Sequence, residues 1–253
     1  QQWFGFEHPD GTLLRNQNNG STWLIENGLR RAITSKFVFN SRFRDAAAVR
    51  VEPSVIEAYA IGQEISIPNY SLLRTENGTI YLLVDEALRP IIGDDTLRAF
   101  GFNPDEILDV SSDSLKAYTI GELIKTTSVY PQGVLWTVRG TQSTYFVQNG
   151  LRHLVPATVL ATRFAGRTPS IISGSELERM RESDPMHLAD GTLIGVTKDP
   201  SIYVIEHGLR RHIPDEATFR ALGWSWNQIV WTDSLTRDLH PEGLVLRSVS
   251  SPL

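Results

Sequence analysis

The chain has 253 residues, with 24 Lys and Arg against 29 Asp and Glu, a formal charge of −5, and 41% apolar and 21% charged side chains. This is the composition of a folded globular protein, and its negative charge opposes binding to a phosphate backbone, so no nucleic-acid partner is expected. With no Cys, thiol nucleophiles, thiolate metal sites and disulfide frameworks are excluded, and no apolar run approaches the roughly 20 residues of a membrane-spanning helix, so no membrane insertion is expected.

An aromatic lead, residues 1–7 with Trp3, precedes four related units: 8–66, 67–129, 130–187 and 188–239. Each opens on a turn and a short β-rich run: HPDGTLLR at 8–15, IPNYSLLR at 67–74, YPQGVLWT at 130–137 and LADGTLIG at 188–195. A hairpin follows: STWLIENGLRRAI at 21–33, IYLLVDEALRPII at 80–92, TYFVQNGLRHLV at 144–155 and IYVIEHGLRRHI at 202–213. Asn27-Gly28 and Asn149-Gly150 are strong two-residue hairpin signals. Aligned on Gly28, Ala87, Gly150 and Gly208, the units step by 59, 63 and 58 residues. This alignment places Arg30, Arg89, Arg152 and Arg210 in one column, and Trp23, Leu82, Tyr145 and Tyr203 in another.

A short helix comes next, clearest at 93–101 and 214–223, where acids stand in the first turn and Gly ends the run. A fourth strand is read at Ile107-Leu108, Ile171-Ile172 and Ile229-Val230-Trp231, and a polar step such as Asp113-Ser114-Leu115 leads onward. The last segment, 240–253, contains HPEGLVLR and reads as a fifth opening strand, Gly243, Leu244, Val245, Leu246 and Arg247, left to close a ring or to pair with a partner's sheet edge.

The expected fold is mainly β with short helices: four tandem β-β-β-α-β repeats. A unit of this kind cannot bury its apolar columns alone, so its neighbours must cover them. Four-stranded units in tandem suggest propeller blades, and a propeller-like ring is favoured over an open array.

The arginine column is read first as structural, each guanidinium pairing within or between units. The functional alternative is a ring of cations holding an anion. The six His repeat by register and show no metal-ligand spacing, so no metal and no cofactor are expected. No nucleophile elbow, zincin or phosphate-loop motif occurs, and no enzyme is expected. Aromatic residues that break the repeat carry more information. Trp226 stands where unit 2 has Pro104, and Trp231 where it has Asp109. Exposed indoles stack on sugar rings or anchor protein partners, so Trp226, Trp231 and Trp3 are the candidate ligand-binding residues.

The run Ile202–Trp224, with Ile-Glu-His-Gly-Leu-Arg-Arg-His-Ile-Pro followed by a helix ending Ala-Leu-Gly-Trp, resembles repeats of exported bacterial cell-wall-associated and surface proteins. The Tyr-bearing hairpin plus short helix is also similar, loosely, to the units of hemopexin-like four-bladed propellers. The resemblance implies an extracellular or cell-surface location, which zero Cys and only two Met also suit. The expected function is a non-enzymatic module that binds a cell-wall or extracellular glycan or a protein partner. The alternatives are a self-assembling subunit of a surface layer or fibre, and a hydrolase on a propeller scaffold.

Overall fold

The computed structural model describes residues 7–248. The chain is mainly β with short helices, built from four repeated units. In unit 1 the strands Leu13–Asn16, Thr22–Glu26 and Leu29–Ala32 form an antiparallel meander. The helix Lys36–Arg42 then leads to strand Ala48–Val51, which returns parallel to the opening strand. A second helix, Pro53–Glu57, leads to a fifth strand, Ala60–Ile61, parallel to the return strand. Units 2 and 3 repeat this five-stranded order.

The units therefore hold more elements than the sequence predicts, and unit 4 runs past residue 239. The polar step is a short helical segment in each unit: Pro53–Glu57, Ser112–Leu115, Gly174–Leu177 and Ser234–Asp238. A two- or three-residue strand follows in the first three. In unit 4 the same place is taken by the segment read as a spare opening strand. Gly243 N donates to Arg210 O and Leu246 N to His212 O, each at 2.9 Å, as Gly62 and Ile65 bond Arg30 and Ala32 in unit 1. Residues 242–246 thus complete unit 4 rather than begin a fifth unit. Their true relatives are AIGQEI and TIGELI, in which Gly is followed three residues later by a buried Ile.

Pairing also corrects the alignment of unit 2. Units 1, 3 and 4 turn on two residues with positive φ: Asn27-Gly28, Asn149-Gly150 and His207-Gly208. Such turns match the twist of the flanking strands. Unit 2 turns on Asp85-Glu86, of which only Asp85 has positive φ. The pairs Glu26↔Leu29, Val84↔Ala87, Gln148↔Leu151 and Glu206↔Leu209 fix the register. Leu88 therefore shares a column with Arg30, Arg152 and Arg210. Arg89 belongs with Arg31, His153 and Arg211, and the aromatic column runs Trp23, Tyr81, Tyr145, Tyr203.

Alternation gives each sheet two apolar faces. Leu14 and Ile25, with their equivalents Leu73 and Leu83, Trp136 and Val147, and Ile194 and Ile205, lie on the first face. Leu13 and Leu24, Leu72 and Leu82, Leu135 and Phe146, and Leu193 and Val204 lie on the second. The first face of unit 4 packs on the second face of unit 3 in one buried cluster. The first face of unit 1 packs on the second face of unit 4 in a larger cluster that includes Phe219, Leu222 and Trp224. Units far apart in sequence are thus neighbours, and the apolar columns are covered by siblings, as repeat physics requires.

Unit 2 differs. Its two apolar clusters stay separate from those of units 1 and 3, and polar groups span the seams. Arg42 reaches from unit 1 to Glu86, to Ile67 O at 2.8 Å and to the Tyr118 hydroxyl at 3.4 Å. Arg89 reaches from unit 2 to Asn149 Oδ1 at 2.8 Å and to Pro131 O. Among the described residues no sheet closes on itself.

Candidate functional site

In unit 4 the helix Glu216–Ala221 lies over the second face of its sheet. Asp215 caps it, its carboxylate accepting from Thr218 N at 2.7 Å. This is a standard N-cap and explains the Asp-Glu pair seen in the sequence. The helix buries Phe219 and leaves a cleft of about 270 Å³ lined by Pro200, Ile202, His212, Ile213, Phe219 and Trp226, with Ser201, Pro214, Asp215 and Glu216 at its polar margin.

Trp226 begins the short helical turn Trp226–Gln228, the counterpart of Pro104–Glu106. Its ring stacks on Phe219 with centroids 4.8 Å apart and planes at 26°. One face is therefore fixed, and the residue is still 51% exposed. Trp231 is 54% exposed and pairs in register with Gly195. A Cβ on Gly195 would lie 2.9 Å from the Trp231 ring and from Ile202 Cδ1, so the glycine makes room for the indole. In unit 2 the same pair is Arg74 and Asp109, joined at 2.7 Å. A glycine and an indole have thus replaced that exposed ion pair, and of the two tryptophans Trp226 lines the cleft. Trp3, the third candidate, lies outside the described residues.

The cleft's carboxylates are engaged. Ser248 Oγ donates to Asp215 at 2.6 Å and, with Thr218, holds this carboxyl below its ordinary range. Glu216 pairs with Arg220 one turn along. His212 packs its ring edge-on to Tyr203.

The arginine column does not converge on one ligand. Arg152 bonds Leu177 O at 3.1 Å and Glu182 at 3.1 Å. Arg210 bonds His240 O, and Glu242 at 2.9 Å, and lies over Tyr203. Both serve their own unit. Arg89 serves a different column: its Nε donates to Glu122 O at 3.1 Å, as Arg31 Nε does to Gln63 O and Arg211 Nε to Leu244 O, each at 2.9 Å. His153 Nδ1 meets Asp184 O at 2.7 Å in the same place. This bond ties the return strand to the residues just past the fifth strand, or in unit 4 to the segment in its place. No sequence signal for it is read because the fifth strand itself is too short to read.

Of the proposed assembly edge, Leu246 is buried in the seam between units 1 and 4, whereas Leu244 and Val245 are exposed. Two histidines that the sequence accounts for only by repeat register, His8 and His240, are buried. His8 accepts from the Tyr59 hydroxyl through Nδ1 at 2.8 Å and donates through Nε2 to Leu222 O at 3.1 Å, linking unit 1 to unit 4. Burial lowers its pKa to about 4, and the Leu222 carbonyl opposes the change. His240 donates from Nδ1 to Gly208 O at 2.9 Å and accepts from Leu188 N at 3.3 Å. Both are held neutral as structural links.

Among the described residues no group of three or more His, Asp or Glu is placed to hold a metal, and no helix is long and apolar enough to cross a membrane.

No protein-family model matches the chain. No curated protein matches it either. Among solved structures it aligns with a chain of the periplasmic assembly from the ESX-5 inner membrane complex, at 11% identity and TM-score 0.22, over 98% of this chain and 95% of that one. It aligns with a chain of an intact ESX-5 inner membrane complex at 12% identity and TM-score 0.21, over 97% and 80%, and with the EccB3 dimer from the ESX-3 core complex at 11% identity and TM-score 0.23, over 92% and 98%.

Proposed function

We propose that this chain is a non-enzymatic β-repeat module that binds an extracellular or cell-wall glycan through the cleft of unit 4. The observation that carries this reading is Trp226: an indole braced on one side by Phe219, half open on the other, at the rim of a cleft with an apolar floor and a polar margin. Sugar rings stack on such platforms, and a braced ring loses little entropy when it binds. The engaged state of Asp215 and Glu216 supports a binding role over hydrolysis, which needs one carboxyl raised and poised as an acid. The resemblance of Ile202–Trp224 to repeats of exported bacterial surface proteins supports the location.

The scaffold of this reading is a propeller-like ring. Contacts run from unit 1 to 2, 2 to 3, 3 to 4 and back from 4 to 1. Where the cores fuse, the first face of one unit meets the second face of the unit before it.

A glycan array followed by calorimetric titration tests the function. The expected result is a saccharide bound by the native protein and about tenfold more weakly by Trp226→Ala, the loss of roughly 1.4 kcal/mol of stacking and burial. Equal affinity in the variant, or no saccharide retained at all, overturns the reading. A second reading is self-assembly along the edge that carries exposed Leu244 and Val245; concentration-dependent light scattering abolished by Leu244→Lys would favour it.

A further inference from the structure

Arg30 breaks the pattern of its column. In units 3 and 4 the arginine at this position receives a carboxylate from the fifth strand: Arg152 pairs in register with Glu182, and Arg210 with Glu242. In unit 1 the residue paired with Arg30 is Ile61, and it is 73% exposed. The Arg30 guanidinium has no hydrogen bond or ion pair among the described residues; it lies over the Trp23 ring, 5.1 Å from Cζ to the centroid. Its Nε is buried without a partner, as are those of Arg152 and Arg210, so the difference lies in the terminal amino groups. The side chain is thus laid over an indole and held there, with both terminal amino groups unmatched.

We propose that Arg30 is a receptor for a carboxylate of an acidic, extended polypeptide that docks along the strand Ala60–Ile61. Sibling geometry supports the carboxylate, because the same arginine, one step around the repeat, takes a Glu from the neighbouring strand. An arginine held by stacking loses less entropy on forming its hydrogen bonds. Three features argue for a peptide rather than an acidic sugar. The guanidinium already covers the Trp23 face, so that ring offers a sugar no platform. Among the described residues Ala60–Ile61 is the outer strand of its sheet, with one neighbour, and so has main-chain groups available to an added strand. Ile61 supplies an exposed apolar side chain of the kind that alternates with polar residues in extended recognition. This site is in unit 1 and stands or falls independently of the glycan cleft in unit 4.

The test uses an alternating Val-Glu hexapeptide as probe, with trigalacturonate as the acidic sugar, titrated against the full chain by NMR of the arginine Nε–H groups. The expected result is a shift of the Arg30 signal by the peptide, about tenfold weaker peptide binding for Arg30→Gln, and a comparable loss for Ile61→Glu, which supplies in cis the carboxylate that units 3 and 4 already have. Ile61→Glu also reads out independently, since it should bring the Arg30 Nε–H shift toward those of Arg152 and Arg210 without any probe. Peptide binding that is unchanged in both variants, or undetectable at millimolar probe, overturns the proposal. Tighter binding of trigalacturonate than of peptide overturns the choice of polypeptide.

Discussion

The backbones of Gly11 and Gly191 touch. A Cβ placed on Gly191 would lie 2.1 Å from the Gly11 carbonyl oxygen, and one placed on Gly11 would lie 2.3 Å from the Asp190 carbonyl carbon. The opening turns of units 1 and 4 interlock main chain to main chain, next to the largest buried cluster. Both glycines also have positive φ. Gly191→Ala should therefore cost about 3 kcal/mol or more, because neither backbone can rotate out of the way. Gly78→Ala, also at positive φ but with open space around it, should cost only about 1 kcal/mol. Urea unfolding of both variants checks the difference.

His8 should make the seam between units 1 and 4 sensitive to acid. Its folded pKa is about 4, against 6.5 for the free side chain. The unfolded chain takes the proton first, so stability falls as pH drops from about 6.5 toward 4 and levels off below that. The window is worth up to about 3 kcal/mol. The groups facing the ring are the Tyr59 hydroxyl and the Leu222 carbonyl, with Glu7 beside Tyr59. His240, also lowered by burial, acts in the same direction. Glu86, raised by burial, acts in the opposite one. His8→Gln isolates the His8 share: it should be less stable than the native protein at pH 7.5, yet lose less between pH 7.5 and 5. Urea midpoints at the two pH values decide the matter, and parallel losses would contradict it.

Arg42 stands where unit 4 has Leu222, each three residues after the buried aromatic of its helix, Phe39 or Phe219. Leu222 joins two units by apolar burial, whereas Arg42 does so through Glu86. Arg42 is buried and Glu86 half-exposed, and the arginine also holds Ile67 O and the Tyr118 hydroxyl, so its removal leaves those acceptors unmatched. Arg42→Ala should destabilise by roughly 2 kcal/mol. Adding Glu86→Gln should recover part of that loss, and a double-mutant cycle in chemical denaturation measures the recovery.

Seams of different chemistry should respond differently to salt. Raising ionic strength should loosen unit 2, held by Arg42 and Arg89, more than the fused seams. Hydrogen exchange at 0.05 and 1 M salt should show faster exchange confined to residues 67–129; uniform change across the units would contradict this.

Much of the architecture was legible from the sequence. The meander, its turns and the helix follow from Asn-Gly, β-branched runs and capping acids, all local signals. The fifth strand was not, because two or three residues in parallel pairing show no alternation to read. Its only trace was Gly followed three residues later by Ile or Leu, as at Gly62, Gly121 and Gly243. The string Leu-Arg misled for a related reason. Unit 2 turns without glycine, so Leu88-Arg89 looks aligned with Leu29-Arg30 while the hydrogen bonds place it one residue later. Trp226 and Trp231 were visible as departures from the repeat, but the Phe219 brace beneath one and the Gly195 recess beneath the other depend on contacts between strands and helix.

The whole arrangement turns on the contact of unit 4 with unit 1. The direct measurement is a nuclear Overhauser cross-peak between the α-protons of Gly11 and Gly191 in dilute protein. The closed arrangement predicts a strong peak within one chain. Absence of the peak, or its appearance only between differently labelled chains in a mixed sample, would contradict it.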